Sequence, residues 1–326
     1  MRRREFIKLI ASGATAWPVV AHAQQQVDKV WRVGYLSPAS ATNVSVALFD
    51  DFRLKLNDLG YVEGRNLGLY VRRANYDYTR LPGLASELVS LAPNVIVGSS
   101  ASATLALQRV TSSIPIVMLT GGDPIDGVLV KSLAKPGGNI TGLTAQSLDA
   151  TAKTLELLHV AFPNAKRIAV LMSPLNPVHE DIVKEAYGAA RTLGLTIIPV
   201  MARTPDDLSD AFANMHSENC DALFVLLDAR VPWRIVELAN EWRLPAIYQG
   251  GFFADTGGLL SYGPDFHELW RQAAVYDDRI LKGANPADLP VQQPTKFDLE
   301  INLKTAKALG VIIPDSTLAR ADKVIE

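Results

Sequence analysis

One stretch of this 326-residue chain is repeated, and the repeat dictates what the chain can fold into. Arg32-Val33-Gly34-Tyr35-Leu36-Ser37-Pro38 has a near copy in Arg167-Ile168-Ala169-Val170-Leu171-Met172-Ser173-Pro174, each an apolar run ending in Ser-Pro. The copy continues in order. A helix-length segment at 48–59 leads to a strand at 67–73, and one at 182–193 leads to a strand at 195–201. Next come runs at 93–100 and 220–228, each followed by a helix, and then 114–119 and 244–248, strands with a proline near their start, where no ladder donor is needed. Short runs rich in Val, Ile and Leu that alternate with amphipathic helices imply parallel strands joined by crossover helices. The fold class is therefore α/β, built as two Rossmann-like lobes with parallel sheets.

Local chemistry supports this parse: Thr204-Pro205-Asp206-Asp207 offers a helix N-cap, a proline at the first helical position and acids in the first turn. Gly137, Gly138 and Gly142 flank a short run at 140–145, and Gly257, Gly258 and Gly263 flank another at 259–262. Both are read as hinge strands between the lobes. A third crossing is expected around 293–299, after a helix at 266–281 that returns to the first lobe. The lobes then comprise residues 30–145 plus 263–293, and 146–262 plus 296–326. About three hundred residues also exceed what one hydrophobic core usually supports.

Residues 1–23 read as a signal peptide rather than a domain. Arg3-Arg4 precedes Phe6-Ile7-Lys8, the twin-arginine export pattern; a short apolar segment follows, and Ala21-His22-Ala23 is the cleavage site. Gly13 and Pro18 break the apolar run, which is too short for a bilayer of about 30 Å. Gln24 follows Ala23, so the cysteine of a lipoprotein anchor is missing and the expected location is the periplasm, in soluble form. Removing Arg2, Arg3, Arg4, Lys8 and Glu5 from 32 basic and 34 acidic side chains leaves 28 and 33, a formal charge of −5. No basic excess marks a nucleic-acid footprint. Cys220, the single cysteine, has no intramolecular disulfide partner and is read as a small residue beside a buried strand.

In open parallel sheets, ligands bind beyond the carboxyl ends of the strands, where helix N-termini expose unpaired N–H groups. The polar residues delivered there are Ser37, Ser99, Ser100, Thr120, Asp123, Asn176, Asp228, Tyr248 and Gln249, with Ala101 at the start of the helix after Ser100. Ser99-Ser100-Ala101-Ser102 places hydroxyls and backbone N–H groups where an anion such as a carboxylate is stabilised, although a serine there also caps the helix. Asp228 is a counter-charge for an ammonium group, and Asn176 both donates and accepts. Asp123, before Pro124, reads first as a turn former. Tyr248, Trp233 and Phe252-Phe253 either sandwich an apolar ligand or pack in the second core. His179-Glu180-Asp181 reads as a solvated helix start rather than a metal site.

The chain resembles the ABC-transporter substrate-binding proteins of the periplasmic type I fold, related to tryptophan- and tyrosine-binding members. The resemblance runs along nearly the whole chain after residue 23 and rests on Gly34-Tyr35-Leu36, Gly60-Tyr61-Val62-Glu63-Gly64-Arg65-Asn66, Asp123-Pro124 followed by Gly127-Val128-Leu129-Val130, Pro136-Gly137-Gly138-Asn139-Ile140-Thr141-Gly142, Gly257-Gly258-Leu259-Leu260-Ser261-Tyr262-Gly263 and Asn302-Leu303-Lys304-Thr305-Ala306. It implies that an apolar or aromatic amino acid, or a related small carboxylate, binds between the lobes, with hydroxyls near Ser100 on its carboxylate and Asn176 and Asp228 on its amine. It also implies an ABC permease in the inner membrane as partner; a monomer is expected from the paired lobes joined at glycine-flanked crossings. The segment after Asp228, Ala229-Arg230-Val231-Pro232-Trp233-Arg234, departs from the family pattern by being short. No cofactor and no metal are expected. The rival readings are a ligand-presenting protein for a membrane sensor and an α/β enzyme, but the chain has no Gly-x-Ser-x-Gly elbow, phosphate loop or His-Glu-x-x-His helix.

Overall fold

The computed structural model describes residues 29–41, 43–120, 124–125, 129–145, 150–176, 178–226, 232–250 and 252–326. The expected signal peptide and the expected site residues Asp123 and Asp228 lie outside this set. The chain opens with β1 (Trp31–Ser37), α1 (Asn43–Asp58), β2 (Leu67–Arg73), α2 (Leu81–Ser90), β3 (Val95–Gly98), α3 (Ala101–Val110), β4 (Ile116–Thr120) and β5 (Ile140–Thr144). It continues with α4 (Ala150–Ala161), β6 (Arg167–Met172), α5 (His179–Leu193), β7 (Thr196–Met201), α6 (Leu208–Ser217), β8 (Ala222–Val225), α7 (Pro232–Glu241), β9 (Ala246–Tyr248), α8 (Phe252–Asp255) and β10 (Leu260–Pro264). The last elements are α9 (Phe266–Leu281), β11 (Phe297–Asn302), α10 (Leu303–Leu309), α11 (Asp315–Leu318) and β12 (Lys323–Ile325).

The strands form two sheets, ordered β2-β1-β3-β4-β5 and β12-β11-β10-β9-β8-β6-β7. Reading the second sheet from its β7 end reproduces the order of the first, so the sequence repeat is a repeat of topology. Every pairing is parallel except β10 with β11. The Ser-Pro ends are structural copies as well. Ser37 Oγ accepts from the N–H of Ala39 at 3.2 Å, and Ser173 Oγ from that of Leu175 at 3.1 Å.

Both faces of each sheet are covered, which is why the strands read as continuous apolar runs rather than alternating ones. Val33 and Tyr35 point to α1 and α9, while Leu36 points to α2 and α3. In the second sheet Ile168 and Val170 face α4 and α5, and Ala169 and Leu171 face α6 and α7. Phe52 on α1 is fully buried in this way, a contribution of about 1.5–3 kcal/mol from transfer alone.

The chain passes between the sheets three times: after β5, after β10 and before β11. After the second passage α9 packs on α1 in the first lobe, where Tyr61 Oη donates to Asp278 Oδ1 at 2.9 Å. The first and third passages run side by side, since the N–H of Gln292 donates to the Gly142 carbonyl at 3.0 Å and that of Thr144 to the Gln292 carbonyl at 2.9 Å. Gly142 is required there. Its φ is 135°, and a Cβ would stand 2.3 Å from the carbonyl oxygen of Met118 on β4. Among the described residues no helix is long and apolar enough to cross a membrane.

Candidate ligand site between the two sheets

The first sheet's carboxyl edge is built by β1, β2 and β3. Ser37 is buried and turns its oxygen back to the chain, as above. Ser100 takes an extended backbone (φ −165°, ψ 167°) and its Oγ accepts from the N–H of Ala103 at 3.0 Å, which makes it the N-cap of α3. The N–H groups of Ala101 and Ser102 then open the helix without partners inside it, a site of positive potential. Ser99 is hydrogen-bonded to the hydroxyl of Tyr35, which also accepts from Trp270 Nε1 at 3.0 Å. Burial pushes the Tyr35 phenol up, and the Trp270 and Ser99 hydrogen bonds and the Arg73 charge partly offset that rise. Of the hydroxyls expected to converge on an anion, one is engaged by Tyr35 and one by the helix cap, and the Ser100 proton is left to donate.

On the second sheet's edge, His179 contradicts the reading of a solvated helix start: it is 1% exposed, while Glu180 and Asp181 are the exposed residues of that turn. Its Nδ1 lies 2.9 Å from the N–H of Ser173 and accepts from it, so the imidazole proton sits on Nε2. Nε2 lies 3.0 Å from the Asn176 side-chain amide. The other end of the amide is engaged as well, since Asn176 Oδ1 accepts from the N–H of Val178 at 3.4 Å. Asn176 is thereby held in one orientation by a buried residue behind it.

The two edges touch. Ser102 Oγ donates to the carbonyl of Leu175 at 3.3 Å, and Ala101, 4% exposed, packs into the second lobe's cluster that contains Val178. The start of α3 thus meets Leu175 and the cluster of Val178, and Ser100 and Asn176 flank that contact. Gln249 is half-buried and lines a cavity at the crossings together with Ala145, Val178, Ile182, Tyr262 and Phe297. At about 20 Å³ this cavity has room for about one water molecule, not for an amino acid.

Tyr248 and the aromatic residues near it divide differently from the expected sandwich. Tyr248 is 1% exposed and stacks on the buried Phe253 with ring centres 4.7 Å apart, in the core between the sheet and α6–α7. Burial pushes its phenol above the ordinary range. Trp233 is exposed at the start of α7. Thr120 ends β4, the strand position expected for it. Among the described residues no group of three or more His, Cys, Asp or Glu is placed to hold a metal ion. Cys220 precedes β8, and burial pushes its thiol up. Arg73, the last residue of β2, stands at the same edge as Ser37 and was not among the residues expected there. The rule that selected Ser37 at the end of β1 selects it too, but a charged residue closing a strand reads as solvated.

Residues 46–325 match the model of a family described as ABC transporter substrate binding protein. A tyrosine-binding protein of Clostridioides difficile (strain R20291) is 29% identical over 261 residues, covering 78% of this chain and 74% of the relative. Among solved structures, an ABC domain from Streptococcus pneumoniae in complex with L-Trp superposes with a TM-score of 0.84 at 27% identity, covering 91% of this chain and 100% of that one. A conserved domain protein from Vibrio cholerae superposes with a TM-score of 0.85 at 28% identity, over the same shares.

Proposed function

The chain belongs to the ABC transporter substrate binding protein family, whose members are binding proteins rather than enzymes, and from that premise we propose that it is the periplasmic solute receptor of an ABC importer for an apolar or aromatic amino acid. The observation that carries the reading is the meeting of the two strand edges, where Ser102 and Ala101 at the start of α3 in one lobe meet Leu175 and the Val178 cluster of the other. A ligand lodged beside that contact is gripped by both lobes, and only such a ligand shifts the chain toward a closed state. The tyrosine-binding relative and the L-Trp complex support an aromatic amino acid as the occupant.

In this reading the ligand carboxylate is met by the first lobe, through the N–H groups that open α3 at Ala101 and the hydroxyls of Ser99, Ser100 and Thr120. The second lobe meets the amine through Asp228 and Asn176, with Gln249 closing the rear. The three passages between the sheets act as the hinge. The chain is exported by the twin-arginine route, loses residues 1–23, works as a monomer and delivers its ligand to an inner-membrane permease. Calorimetry of residues 24–326 against the twenty amino acids tests the reading. Micromolar or tighter binding of an aromatic or apolar amino acid is the expected result, and binding of none of them would reject it.

A further inference from the structure

The turn that closes β2 carries two polar groups that have no hydrogen-bond partner among the described residues. Arg73 is in register with Ser37, so both stand at the carboxyl edge of the first sheet. Its Cζ lies 5.9 Å from the ring centre of Tyr35 and 5.3 Å from that of Phe49, which holds the charge over two aromatic faces. Its Nη1 is buried with no hydrogen-bond partner, whereas the neighbouring Arg72 is paired with Glu87 at 2.9 Å. Three residues on, the hydroxyl of Tyr76 is buried and unpartnered too.

Backbone geometry marks the same turn. Asn75 and Tyr76 have φ of 54° and 66°, two successive left-handed positions without glycine. They are held by the N–H groups of Ala74 and Tyr76, which donate to the Ser37 and Pro38 carbonyls at 2.9 and 2.7 Å. Such a conformation is costly and persists where its surroundings enforce it, commonly at ligand clamps.

A guanidinium partly out of water and without an acceptor is unfavourable until an anion arrives, and its planar fork matches a carboxylate in two parallel hydrogen bonds. Arg73 is half-buried as a residue, so a ligand can reach it from the rim. We propose that Arg73 is the receptor for the ligand's carboxylate, with the Tyr76 hydroxyl as a second donor in the same turn. The site then takes aromatic carboxylates whether or not they carry an amine. This rests on the solute-binding reading above and sharpens it, adding a charged donor to the hydroxyl of Ser100, whose oxygen caps α3 and whose proton is left to donate.

The test is calorimetry of residues 24–326 and of R73Q with three probes: L-tyrosine, its amide, and 3-(4-hydroxyphenyl)propionate. The expected result is that the two carboxylates bind the parent and lose about a hundredfold in R73Q, while the amide binds weakly and equally to both proteins. Equal loss for all three probes would assign Arg73 a structural role and overturn the proposal. Unchanged tyrosine binding in R73Q would overturn it as well and leave the amino-acid reading intact. Binding of the propionate but not of tyrosine, lost in R73Q, would uphold Arg73 and reject the amino acid. A parent that binds neither carboxylate overturns both readings. If R73Q does not fold, R73K keeps the charge without the fork, and the same selective loss is required of it.

Discussion

In the first sheet the second strand ends in Arg73, its guanidinium over Tyr35 and Phe49; in the second sheet the matching strand ends in Met201, which is 59% exposed. The strands behind these two residues share order, direction and an apolar core on both faces. The comparison teaches where the copies were free to part. A strand interior buried on both faces tolerates little beyond Val, Ile, Leu and Ala, whereas the residue at the last ladder pair is limited mainly by what it meets at the strand edge. One edge accordingly offers a guanidinium and the open N–H groups of α3, and the other an amide set by a buried histidine. The interiors diverge in one respect as well. Asp277 on α9 is fully buried with both carboxyl oxygens unpartnered, whereas in the second lobe Asp298 and Glu300 bury single carboxyl oxygens while the residues stay partly exposed.

The largest expected effect falls on the second edge. If Asp228 is the counter-charge of the ligand amine, Asp228→Ala leaves that amine unpaired at a cost of about 3–5 kcal/mol, a loss of a hundredfold or more in Kd. Calorimetry with the best amino acid reads it, and affinity within threefold of the parent would remove Asp228 from the site. Next is the passage between the lobes. Gly142→Ala places a methyl against the β4 backbone at a left-handed φ and should destabilise by about 3 kcal/mol in urea unfolding. A change below about 0.5 kcal/mol would mean that β5 does not pack on β4 as described.

How much of this was legible beforehand follows from what each residue depends on. The strand at 67–73 and the repeated order of elements were readable because hydrophobic period and length are local properties. His179 was misread because its burial depends on the N–H of Ser173, which only the folded loop places over the ring. Arg73 was passed over for the same reason: the aromatic faces that hold it come from β1 and α1, more than twenty residues away. Tyr248 stood at the right strand end, yet its ring stacks inward on Phe253, a contact that strand position alone does not specify. The tail was assigned to the second lobe, but the reversal of β11 against β10 carried no sequence signal.

Two smaller effects sharpen the contrast between the lobes. Desolvation holds the Asp277 carboxyl well above the usual range, so the folded chain keeps a proton that the unfolded chain releases above about pH 4. Stability must therefore fall as pH rises from there toward the raised folded value and stay lowered beyond it. Asp277→Asn should remove that fall and gain about 1–3 kcal/mol at pH 7, read from melting curves between pH 4 and 8. Parallel curves for parent and variant would show that Asp277 has a partner in solution. Met201→Ala, at the position matching Arg73, should change stability by no more than about 0.5 kcal/mol and leave ligand affinity untouched. A tenfold weaker ligand in that variant would mean that the second lobe's edge strand also reaches the site.

The central claim is that two copies of one α/β plan close on a ligand held between their strand edges. Small-angle X-ray scattering of residues 24–326, with and without a saturating aromatic amino acid that calorimetry has shown to bind, tests this most directly. The account predicts a smaller radius of gyration in the ligand-bound sample, with the loss of compaction in Asp228→Ala tracking its loss of affinity. A radius unchanged at full saturation would contradict it.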